Sequence, residues 1–219
     1  MDLRETYRRH PFWVLDATPR HTREELVELQ STAALFGDDE SAAAALAALL
    51  NPQERLRAEL SWFPRTDARV VKGLLNAVLQ GRPAFGMPFS TESFLAQFNA
   101  ARLALATVPL VDVPTFMEVL LTLAELADTL LPQQVRDEIN EDRARSGFPL
   151  LDDSDEMGLL IEGLLHETVG AYRNLRPAQL EGAVARELSA QLQERVRRRG
   201  TPEHNSLFLE YAAEEIATW

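Results

Sequence analysis

The chain has 219 residues, no cysteine and a formal charge of −12, with 46% hydrophobic and 26% charged residues. That balance is ordinary for a globular protein with its own core, and it excludes disulfides, thiolate nucleophiles and cysteine-ligated metal centres. The negative charge repels nucleic-acid backbones at long range. The opening MDLRETYRRHPFW has no apolar core of signal-peptide length. The most apolar stretch, 113–131, carries Glu118, Glu125 and Asp128, which are costly at a bilayer centre. A cytoplasmic protein without membrane contact is therefore expected.

Apolar residues recur every three or four positions and strand-like alternation is missing, so the fold class is all-α. Thr22 caps a helix whose Leu26, Leu29, Ala33 and Phe36 share a face, stopped by Gly37 and Asp38-Asp39. Ser41 opens an alanine-rich helix to Leu50. Asn51-Pro52, a cap followed by a first-turn proline, restarts it through Arg55 to Leu60 before Trp62-Phe63-Pro64. From Asp67 to Gly81, Val70/Val71, Leu74/Leu75 and Val78/Leu79 mark a broad buried stripe. After a loop, a helix opening near Ser90 to Ser93 presents Phe94, Phe98, Ala101 and Leu105 on one face.

The helix over 114–131 is apolar except for the row Glu118, Thr122, Glu125 and Thr129 and is expected to be the central one. By contrast 132–145 is nearly all polar apart from Val135 and Ile139, and is expected on the surface up to the break at Gly147-Phe148-Pro149. Beyond the acidic loop Asp152-Asp153-Ser154-Asp155, a core helix with Met157, Leu160, Ile161, Leu164 and Leu165 reaches Tyr172. Leu180, Val184, Leu188, Leu192 and Val196 form a seam over 177–199, and Pro202 starts a last helix ending in Trp219.

Several constellations bear on chemistry. Asp137, Glu138, Glu141 and Asp142, with Asp152, Asp153, Asp155, Glu156 and Glu162, form the strongest enzyme-like feature. Helical spacing places Glu138 beside Glu141 and Asp142, and two such faces can chelate Mg²⁺ around a phosphorylated substrate. Only Asp152-Asp153-Ser154-Asp155-Glu156 resembles an acidic box, without a second one, so a solvated acidic face is the preferred reading. His166-Glu167 does not complete a zinc-binding H-E-x-x-H, since Gly170 holds the last position, and a partly buried, hydrogen-bonded His166 is expected. Arg195, Arg197, Arg198 and Arg199 close a long helix, where cations complement the dipole; they are also the one local patch suited to phosphate contacts. Trp13, Trp62, Phe63 and Trp219 read as packing residues. No nucleophile elbow, P-loop or dinucleotide glycine signature is present.

Pro11-Phe12-Trp13-Val14-Leu15, then Thr18-Pro19 and Thr22-Arg23-Glu24-Glu25-Leu26, and later Leu49-Leu50-Asn51-Pro52-Gln53-Glu54-Arg55, together resemble a J-domain over roughly residues 7 to 64. The resemblance implies a module over 1–64 packed on a helical bundle over 65–219. Family members stimulate DnaK-type chaperones through a His-Pro-Asp tripeptide between their second and third helices. Gly37-Asp38-Asp39-Glu40 stands there instead, and His10-Pro11-Phe12 precedes the first helix and lacks the aspartate. The second helix carries Glu24, Glu25 and Glu28 against Arg23, where the family presents a basic face.

The resemblance thus implies a fold and a history, as in degenerate modules of bacteria and phages, and argues against co-chaperone catalysis. The expectation is a non-enzymatic adaptor or accessory subunit without a cofactor, docking a protein partner, either a DnaK-type chaperone or a multi-subunit complex, through Arg23, Glu24, Glu28, Asp38, Asp39 and Glu40. The alternatives are a nucleic-acid-associated subunit using the arginine patch and a metal-dependent helical hydrolase using the carboxylates.

Overall fold

The computed structural model describes residues 3–36, 38–82, 91–105, 113–152, 156–173, 182–199 and 207–218. Within them the chain is all-α, as its periodicity requires, with 12 helices and no strand. α1 (Leu3–Arg8) and the single-turn α2 (Pro11–Val14) lead to a hairpin of α3 (Arg23–Phe36) and α4 (Asp39–Leu50). A reciprocal cap fixes the start of α3: the Glu25 N–H donates to Thr22 Oγ1 at 3.2 Å, and the Thr22 N–H donates to the Glu25 carboxylate at 2.8 Å. α4 begins at Asp39, ahead of the expected Ser41, because Asp38 takes the cap position and accepts from the Glu40 N–H and the Ser41 hydroxyl. Asn51 caps α5 (Pro52–Leu60) through the Gln53 and Glu54 N–H groups, with Pro52 at the first helical position, where it needs no donor.

α6 (Ala68–Leu79) is capped by Asp67, and α7 (Phe94–Leu105) by Ser93, whose hydroxyl accepts from the Ala96 N–H. α8 (Val113–Ala127), α9 (Pro132–Ser146), α10 (Glu156–Arg173), α11 (Ala183–Arg199) and α12 (Leu207–Ala217) complete the described helices. Gly147, at φ 70°, ends α9 in the left-handed region that favours glycine. The expected helix starts at Ser90 and Pro202, the stop at Gly37, and Leu180 and Trp219 lie outside the described residues. So do the side chains of Leu105, Tyr172, Val184 and Val196.

Two apolar cores form. The first joins Tyr7, Phe12, Leu26, Leu49, Trp62 and Phe63 to Val71, Leu75 and Val78 of α6. The second joins Leu120 and Leu123 of α8 to Ile139, Ile161, Leu165, Leu188, Leu192, Phe208 and Ile216. α7 is the wall between them. Leu95 and Phe98 face the second core while Ala96, Ala100 and Leu103 face the first, as a helical step of roughly 100° per residue dictates. Both cores therefore draw on residues from either side of position 64.

The helix over 114–131 was expected to be the central one. Leu120, Leu123 and Ala124 are indeed buried and Glu118 and Glu125 exposed, but α7 is the helix enclosed on nearly every side, with Asn99 and Arg102 buried among its apolar residues. The larger correction concerns α9, expected on the surface. It buries Val135, Glu138, Ile139, Asp142, Arg143 and Ser146, the i, i+3, i+4, i+7, i+8, i+11 spacing of a core-facing stripe. Glu138, Asp142 and Arg143 occupy that stripe because each finds a partner across the interface, while the Ser146 hydroxyl donates to the Arg143 carbonyl of its own helix.

Candidate functional site

The α3–α4 hairpin has an inner and an outer face. Leu26 is fully buried and Leu29, Ala33 and Ala34 are partly buried, which seats α3 on the body. On the opposite side Glu24, Val27, Glu28, Ser31 and Leu35 fall within roughly 100° of one another by helical geometry, and all are exposed. Leu35 is 81% exposed and Phe36 is 88% exposed. Phe36 was expected on the buried face. Its angular position is right, but the opening turns of α4 offer only Asp39, Glu40, Ser41 and small alanines, so nothing large stands opposite to cover the ring.

Two of the acids near this apolar stripe, Glu25 and Asp38, are held in the charged form by hydrogen-bond donors. The Thr22 N–H and hydroxyl lower the Glu25 pKa, and the Ser41 hydroxyl with the Glu40 N–H lowers that of Asp38. Among the described residues no cation pairs with Glu24, Glu25, Glu28, Asp38, Asp39 or Glu40. Arg23, grouped with them in the sequence reading, lays its guanidinium over the Phe148 ring, 5.1 Å from the centroid, and so is directed at the body.

The carboxylates that suggested metal chemistry are separated into structural duties. Glu138, buried, accepts from the Ser93 hydroxyl at 2.7 Å and from the Phe94 and Leu95 N–H groups at 2.9 and 3.3 Å, capping α7 from another helix. Asp142 accepts from Arg20 Nε at 2.7 Å and from the Arg65 N–H at 2.9 Å. Glu141 pairs with Arg65 and Arg145, and Asp137 with Arg136. Asp152 is exposed, and Asp153 and Asp155 lie outside the described residues. Among the described residues no three His, Asp or Glu side chains are grouped to hold a metal ion.

The remaining expected features are placed as follows. Arg197 is exposed and 3.9 Å from Glu194, while the side chains of Arg195, Arg198 and Arg199 lie outside the described residues. His166 is exposed rather than partly buried, because α10 turns it outward, where it stacks on Tyr211 with centroids 3.9 Å apart; the Tyr211 hydroxyl donates to Glu162.

Sequence reasoning missed two features. One is a half-open groove of about 150 Å³ between α2, the turn after α5, and α6, walled by Phe12, Trp13, Trp62 and Val71 and flanked by the pairs Lys72–Asp16 and Arg20–Asp142. Asp16, one of the two non-glycine residues at positive φ among those described, borders it. The other is a buried Arg55–Glu59–Arg143 network. Arg55 Nε donates to Glu59 at 2.8 Å, Arg143 Nε donates to the other Glu59 oxygen at 2.8 Å, and the Arg55 guanidinium lies 3.4 Å from the Phe148 centroid. The Pro19 and Pro149 carbonyls take further donors. The signal for this network was present in the polar residues at core spacing in α9. No protein-family model matches the chain, and neither a curated protein nor a solved structure does.

Proposed function

We propose that the chain is a non-enzymatic helical adaptor or accessory subunit that docks a protein partner through the outer face of α3 and the tip of its hairpin with α4. The observation that carries the proposal is the pair Leu35 and Phe36, 81% and 88% exposed at the end of a hairpin seated on the body through Leu26. Exposed large apolar side chains grouped in this way mark interaction surfaces more often than scattered ones do. The order of helices α2 to α5, two short helices flanking a longer hairpin, supports the J-like reading, and Asp38-Asp39-Glu40 in place of the catalytic tripeptide supports docking over stimulation.

Affinity purification of the tagged chain from its native cells tests the proposal, comparing the unaltered protein with Leu35→Asp and Phe36→Asp. Loss of a stably bound protein from these variants, with retention by Leu159→Asp on exposed Leu159 of α10, is the expected result. Equal recovery from all of them refutes the surface.

A further inference from the structure

We infer that the segment docking on this hairpin is a basic, amphipathic helix of a different protein. The inference rests on the docking reading above and adds the chemistry of the occupant.

The outer face of α3 presents Val27, Ser31 and Leu35 at four-residue steps, an apolar-to-neutral stripe roughly 12 Å long at about 1.5 Å per residue. Glu24 and Glu28 run along its edge, and Asp38, Asp39 and Glu40 stand beyond its end next to Phe36. Capping accounts for Glu25 and Asp38, and dipole complementarity for acids in first turns, but neither accounts for Glu28 in mid-helix or for uncovered Val27, Leu35 and Phe36. Elsewhere acidic side chains repeatedly find cations: Glu5 with Arg8 and Arg9, Asp16 with Lys72, Asp137 with Arg136, Glu141 with Arg65 and Arg145. The hairpin concentrates acids left without that partner, around apolar side chains left without cover.

A helix laid along such a stripe needs apolar anchors at i and i+3 or i+4 to meet Val27, Leu35 and Phe36, and arginines or lysines on its flanks to meet Glu24, Glu28 and the Asp38–Glu40 turn. A net charge of −12 accelerates its approach and opposes the competing occupants. A second copy brings the same acidic charge. Nucleic acid and anionic lipid surfaces are repelled likewise.

Photocrosslinking in native cells with Leu35→p-benzoylphenylalanine, and Leu159→p-benzoylphenylalanine as the control, identifies the contacting segment by mass spectrometry. The expected adduct is a net-positive segment with apolar residues at helical spacing. Its yield should fall at least about tenfold when Glu24→Lys and Glu28→Lys are added, and less with Glu24→Gln and Glu28→Gln. A neutral or acidic segment, or one from this chain itself, overturns the inference while leaving the docking surface standing. An adduct yield at position 35 no higher than at position 159 overturns the docking reading and the inference with it.

Discussion

His10 is packed among rings, 4.5 Å from the Trp62 centroid and about 6 Å from those of Tyr7 and Phe12, with Nε2 3.1 Å from the Ser61 hydroxyl. Burial lowers its pKa from 6.5 to about 3, and the nearby Arg102 guanidinium acts in the same direction. The unfolded chain therefore binds a proton that the folded chain refuses. The stabilisation from a neutral His10 is complete above pH 6.5 and is withdrawn as pH falls toward 3. Between pH 6.5 and 5, where most carboxylates stay ionised, stability should decline by up to about 1.4 kcal/mol per pH unit. Urea unfolding across that window, repeated with His10→Phe, checks this: the variant's slope should be markedly flatter. Nothing in the sequence announces this residue beyond its place in His10-Pro11-Phe12, because its environment is assembled from Ser61 and Trp62, some fifty positions away.

Among the helices, α9 shows where pattern reading succeeds and where it fails. Its end at Gly147, like the starts at Thr22 and Asn51-Pro52, is written in adjacent residues, since a cap needs only local donors and acceptors. Its buried face is not, because Glu138, Asp142 and Arg143 look like solvent-facing residues until Ser93, Arg20 and Glu59 are brought to them. The same blindness made a carboxylate cluster of side chains that the fold assigns to a helix cap and ion pairs. Energetically the network is asymmetric. Glu59→Gln leaves Arg55 and Arg143 buried without a counter-charge and should cost about 3–5 kcal/mol, whereas Arg143→Met leaves the Arg55–Glu59 pair intact and should cost clearly less. Denaturant midpoints of the two variants measure the difference; equal losses would show that Arg55 alone does not neutralise Glu59.

For the molecule as a whole, the all-α class was legible because a period near 3.6 residues pervades the chain. Which helix lies innermost was not, since α8 is the more uniformly apolar, yet it is α7, with Asn99 and Arg102 in its middle, that is enclosed by neighbours on both sides. The proposed docking surface was half legible. Glu24 and Glu28 stood out as charges, whereas the exposure of Phe36 depends on how short the side chains of α4 are. The position of α7 also bears on how the protein opens. Asn99 donates from its side-chain amide to the Leu60 and Trp62 carbonyls, so α7 grips the end of α5 as well as walling both cores. Solvent can reach its backbone amides only when both cores part together, so in hydrogen–deuterium exchange these amides should be the slowest in the chain, reporting global unfolding, while the outer turns of α3 exchange through local fraying.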